Sequence, residues 1–172
     1  MTAQWQEFFG LLAQISATAF AVLLATLQLA RRRWRGFPLK EAAAGMALLE
    51  LLVVLLAALV AAVPGSDWRA GYVVMGLAGL IGLAWYVRTV FRHEDETDLF
   101  DERQVTWGLP ASCVVYVGLV AFAAAGTRHG VAVLSIWLIL SGSGRAWLLL
   151  DASRAPRPAG DSVRTEDGDR RA

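Results

Sequence analysis

This chain of 172 residues contains one cysteine, two histidines and one lysine. A single thiol, Cys113, allows no internal disulfide and no thiolate metal cluster. There is no H-E-x-x-H, no Walker loop and no C-x-x-C, so the sequence encodes no zincin, nucleotide-phosphate or dithiol chemistry. The formal net charge is only +1, which supplies no overall field for nucleic acid. No repeat of solenoid length is found. These absences predict a protein that is not an enzyme and carries no cofactor.

Apolar residue is what the chain has in excess. It is 56% hydrophobic with a mean hydropathy of +0.49, where soluble domains average about 45–50% apolar. The excess lies in runs near the length that a helix needs to cross roughly 30 Å of hydrocarbon. Five runs qualify, at 8–30, 42–63, 71–91, 109–126 and 131–150. The fourth is the shortest. It lengthens if 105–108 join it, and Pro110 suits a first helical turn. Backbone polar groups in lipid must be satisfied within the segment, so the runs are expected to be helices. The predicted fold is an all-α polytopic membrane bundle of five transmembrane helices, or four plus a re-entrant segment. It occupies 1–151, with a disordered cytoplasmic tail at 152–172 whose composition cannot bury enough apolar surface to order it.

Charge gives the expected orientation. With the N-terminus outside and the C-terminus cytoplasmic, fourteen of the sixteen Lys and Arg residues fall inside and only Arg69 and Arg128 fall outside. That asymmetry follows the positive-inside rule and favours an odd number of spans. The leader MTAQWQEFF has no positive charge and a basic cluster follows the first run, so that run is expected to stay rather than be cleaved. Trp5 and Trp68 fall at predicted outer boundaries, where an indole keeps one edge apolar and its N–H wet.

The first helix carries a polar stripe. At about 100° per residue a seven-residue step nearly returns to the same face. Glu7, Gln14, Ala21 and Gln28 follow that step, and Thr18, Ala25 and Arg32 follow it beside them. The opposite side is expected to carry Phe20, Val22, Leu23 and Leu27. Two readings compete: a packing face hydrogen-bonded to neighbouring helices within the bundle, or the lining of a pore formed by several copies, with Glu7 at the outer mouth and basic residues at the inner one. The stretch FFGLLAQISAT at 8–18 resembles the opening helix of a group of small, uncharacterised bacterial multi-pass membrane proteins with the pattern F-F-x-x-x-A-Q-x-S-A-T. The resemblance covers eleven residues and implies no activity.

Charges inside the apolar runs come next. Glu50 lies roughly 12 Å in from the cytoplasmic boundary at 1.5 Å per residue. A carboxylate at that depth costs about 2.5–3.5 kcal/mol or more unless it is paired, hydrated or protonated. Arg145 and Arg88 are candidate partners. The alternatives are a proton- or cation-binding carboxylate facing a hydrated cavity, and a protonated, silent group. Ser141, Gly142, Ser143 and Gly144 precede Arg145 and predict a break in the last helix, since interrupted spans often mark sites. The alternative is a close helix contact with the serines bonded back to the backbone. A serine hydrolase at Ser143 lacks a base, because neither histidine falls at its depth.

The inner loop is the remaining cluster. His93, Glu94, Asp95, Glu96 and Asp98 form a weak candidate metal site, though no calcium-loop spacing is present. The functional expectation is a homo-oligomer in the lipid bilayer of the bacterial inner (cytoplasmic) membrane. It forms a path for an inorganic ion lined by the first helix and has no nucleic-acid partner. The alternative is a non-catalytic scaffold or accessory subunit of a larger membrane complex.

Overall fold

The computed structural model describes residues 2–34, 38–92 and 108–152, and all its described elements are helices. They are α1 (Ala3–Trp34), α2 (Pro38–Ala62), α3 (Trp68–Arg92), α4 (Leu109–Ala124) and α5 (Arg128–Ala152). Four of them, α1, α2, α3 and α5, are long and apolar enough to cross a bilayer, which makes this a multi-pass membrane protein. The tail at 153–172 and the acidic loop at 93–98 lie outside the described residues.

The helix α2 is the centre of the bundle, packed by α1, α3 and α5. Beyond its first turn its sequence is apolar on every side apart from Glu50, the pattern of a helix with no solvent face. Met46, Ala47, Leu51, Val53, Val54, Ala57, Ala58 and Ala61 are all buried. Alanine dominates because small side chains let the neighbouring backbones approach, the main attraction available where lipid is as apolar as the protein.

Ring contacts gather one end of the bundle. Trp5 on α1 meets His129 on α5 with centroids 4.9 Å apart, and Phe9 meets Tyr72 on α3 at 5.7 Å. The guanidinium carbons of Arg69 and Arg128 lie 5.8 and 5.7 Å from the centre of the Trp68 ring. The start of α1, the α2–α3 turn and the α4–α5 turn therefore share one end. The α4–α5 turn is a Schellman cap. Gly126, at φ 75°, follows the helix, with Thr127 N–H donating to the Phe122 carbonyl at 2.9 Å and Gly126 N–H to the Ala123 carbonyl at 3.0 Å.

The fourth run is shorter than the sequence predicts. It was expected over 109–126, but α4 has 16 residues, about 24 Å at 1.5 Å per residue and short of a hydrocarbon core. Pro110 sits in its first turn and Gly126 stops it. Its Ser112 lies against Glu50, which is the middle residue of α2, so α4 starts close to mid-bundle.

Two series of small residues, one of alanine on α1 and one of glycine on α3, spiral around their helices rather than keeping to one face. The four-residue step of Ala13, Ala17, Ala21 and Ala25 advances about 40° each time; Ala13 is buried and the other three are exposed. The three-residue step of Gly76, Gly79 and Gly82 retreats about 60°. Gly76 and Gly79 meet α4 at Val120 and Tyr116, whereas Gly82 meets Leu49 of α2.

Candidate functional site: a buried ion pair and an outward polar stripe

Glu50 is held in a closed network. Its Oε1 lies 3.0 Å from Nη1 of Arg145, and the two side chains are 0% and 13% exposed respectively. Ser141 donates to Oε2 at 2.8 Å, and Ser112 makes a longer contact to Oε1 at 3.4 Å. Nη2 of Arg145 donates to the Gly108 carbonyl at 3.1 Å and to the Ser112 hydroxyl. Three helices and the segment entering α4 are thereby joined through one carboxylate and one guanidinium. The carboxylate also faces the first turn of α4, where a helix N-terminus favours negative charge.

The local reasons are plain. Ser141 and Arg145 are one helical turn apart on α5, so their side chains share a face. Gly142, between them, is buried, and a Cβ there would stand 3.1 Å from the Ala47 carbonyl and 3.3 Å from Cβ of Glu50. The helix axes can only come this close because position 142 has no side chain. The predicted break is corrected: α5 runs unbroken from Arg128 to Ala152. Packing of α2 against Gly142 holds the turn helical, and Ser141 also bonds back to the Leu138 carbonyl at 3.2 Å. Ser143 is half-buried and Gly144 is exposed, with open space at its Cβ position.

This contrast predicts opposite signs for two neighbouring substitutions. Gly144→Ala is expected to stabilise by up to about 1 kcal/mol through helix propensity alone. Gly142→Ala is expected to destabilise by about 1–3 kcal/mol, because a methyl group must push α2 and α5 apart. Reversible unfolding in mixed detergent micelles reads both; equal effects at the two positions would refute the close contact.

The other intramembrane arginine takes no part. Arg88 is exposed on α3. The geometry at Glu50 is that of a fully engaged ion pair: both carboxylate oxygens have donors and the side chain is wholly buried. Nothing in it resembles a nucleophile–base pair, and His129 lies at the far end of the bundle beside Trp5. Reasoning from sequence passed over Ser112 and Gly108. The signal for Ser112 was a lone hydroxyl in the first turn of an apolar run; Gly108 acts through its backbone and left none. Among the described residues no group of acidic, histidine or cysteine side chains is placed to hold a metal ion. His93, Glu94, Asp95, Glu96 and Asp98 lie outside them.

The stripe on α1 points away from the bundle. Glu7, Gln14, Thr18, Ala21, Ala25 and Gln28 are all exposed, while Phe9, Leu12, Ser16, Leu23 and Leu27 face inward. The side chain of Arg32 is outside the described set. The expectation of packing within the bundle is thus overturned for these positions: the core of α1 is filled by the face opposite them. Val22, expected on the apolar side, is instead 60% exposed and joins Leu11, Ile15 and Leu29 in an apolar ridge along the stripe. Thr18 satisfies its hydroxyl on its own helix, donating to the Gln14 carbonyl at 2.9 Å. Two buried hydroxyls, those of Ser16 and Tyr116, have no partner among the described residues. No family model, no curated protein and no solved structure matches this chain.

Proposed function

We propose that this chain is a homo-oligomeric protein of the bacterial inner membrane in which copies of α1 face a common axis and line an ion-permeable path. One observation carries the reading: Glu7, Gln14, Thr18, Ala21 and Ala25 on α1 are exposed and the protomer's own core uses none of them, while Gln28, also exposed, borders a groove between α1, α2 and α3. The amide of Gln14 cannot be left against hydrocarbon without a substantial loss of hydrogen bonding. Contact with another copy, or with water in a shared lumen, removes that cost. Ala21 and Ala25 allow helices to approach closely. Glu7 stands at one mouth, where a ring of charge is one means by which pores select ions. The Glu50–Arg145 network engages its own polar groups, which favours a conduit between protomers over one within a protomer.

The apolar ridge of Leu11, Ile15, Val22 and Leu29 supports a second reading, a scaffold or accessory subunit. A stripe flanked by apolar residues also suits a single partner helix from another membrane protein.

Cysteine accessibility separates the two. In a Cys113→Ala background, Gln14→Cys and Ala21→Cys are expected to react with a charged, membrane-impermeant thiol reagent in native vesicles. Val22→Cys, on the apolar ridge, is expected to resist it. Protection of all three would remove the aqueous path. Native mass spectrometry in a mild lipid environment complements this: a closed ring of several copies is expected, and a clean monomer would rule out a pore on the α1 axis.

A further inference from the structure

A groove lies between α1, α2 and α3 at the end where α2 begins. Its volume is about 480 Å³, inside the range of roughly 300–1,000 Å³ typical of small-molecule sites. Leu27 and Leu48 give it an apolar wall. Gly45 gives it depth, since a Cβ at that position would meet nothing within 4 Å. Polar character enters from all three helices, through Gln28, Glu41 and Thr89. The indole of Trp85 also lines it and is 57% exposed, leaving much of the ring uncovered.

Among the described lining residues the only formal charge is that of Glu41. Its side chain is exposed and makes no ion pair among the described residues. Lys40 and Arg88 are close in sequence to lining residues but do not line the groove. A carboxylate and an uncovered indole both attract positive charge, the first by Coulomb force and the second through the negative face of its ring. The leucine wall asks for hydrocarbon. We propose that this groove binds a lipophilic monocation, with its charge between Glu41 and Trp85 and its apolar body against Leu27 and Leu48. The site is built within one protomer and does not depend on the pore reading.

The test uses two ions of the same shape and opposite sign. Tetraphenylphosphonium and tetraphenylborate are titrated by equilibrium dialysis against the full chain in lipid nanodiscs, with empty discs subtracted. Saturable binding of the phosphonium is expected, with the borate weaker. Glu41→Gln and Trp85→Ala are each expected to lower phosphonium affinity roughly tenfold. Gly45→Leu fills the groove without touching the core and is expected to abolish binding, with helical content and elution position unchanged. Equal or tighter binding of the borate would overturn the proposal, as would unchanged affinity in Glu41→Gln or the absence of saturable phosphonium binding.

Discussion

Arg145→Gln is expected to destabilise the bundle by about 3–5 kcal/mol, the loss that follows when one member of a buried ion pair is removed and the other is left uncompensated. Glu50 is the member left behind. It is fully buried, and Ser141 and the longer contact from Ser112 would then be its only donors among the described residues. Glu50→Gln is expected to be milder, about 1–3 kcal/mol. The amide still offers Ser141 an acceptor, and the partly exposed Arg145 keeps the Gly108 carbonyl and the Ser112 hydroxyl. The double variant should recover part of the loss, since it strands no charge. Unfolding in mixed micelles across the four proteins gives the coupling energy. Strict additivity of the two single losses would mean that the pair contributes nothing as a pair. Because Arg145 also holds the start of α4, proteolysis between α3 and α4 should accelerate in Arg145→Gln more than in Glu50→Gln.

Gly79→Leu is expected to prevent the native packing of α3 on α4, and Gly79→Ala to weaken it by about 1–3 kcal/mol. The ring of Tyr116 lies where the Cβ of residue 79 would be, so even a methyl group overlaps it. Tyr116 is fully buried and cannot swing into lipid without opening the core. The gain in helix propensity from removing a glycine, about 1 kcal/mol, is smaller than the overlap. Gly10→Ala is the matched control: its Cβ meets nothing within 4 Å, so it should be neutral or stabilising. Tyr116→Leu should rescue much of the Gly79→Ala loss by vacating the space the methyl group needs. Absence of that rescue in the unfolding measurement would place the cost of Gly79→Ala elsewhere.

Hydrophobic run length was enough to find all five described helices, because a bilayer leaves the backbone no alternative to internal hydrogen bonding. Their ends were less legible. The first helix extends beyond 8–30 to Ala3–Trp34, since polar residues such as Gln4 and Arg31 continue a helix once it has left the hydrocarbon. The fourth stops short because Gly126 takes a positive φ, a demand that run length does not register. The stripe on α1 was legible as a stripe, because a seven-residue step drifts only about 20° on a straight helix. Which way it faced was not legible. Periodicity gives the faces of one helix relative to each other and says nothing about which of them its neighbours cover.

The same division holds at Glu50. One carboxylate in an apolar run is enough to require a partner, because desolvation of a charge is a property of the residue and its depth. Choosing Arg145 over Arg88 needed the packing of α2 against α5, and that packing depends on Gly142, where the absence of a side chain lets two backbones meet. The roles of Ser112 and the Gly108 carbonyl were hidden for the same reason: the one left only a lone hydroxyl in an apolar run and the other left nothing, and both acquire meaning only from what stands beside them. Length, hydropathy and the need for charge compensation are carried by residues one at a time, so the sequence alone determined them for this protein. Partner choice, the outward turn of the stripe and the unbroken last helix arise between helices, and only the tertiary structure decided them.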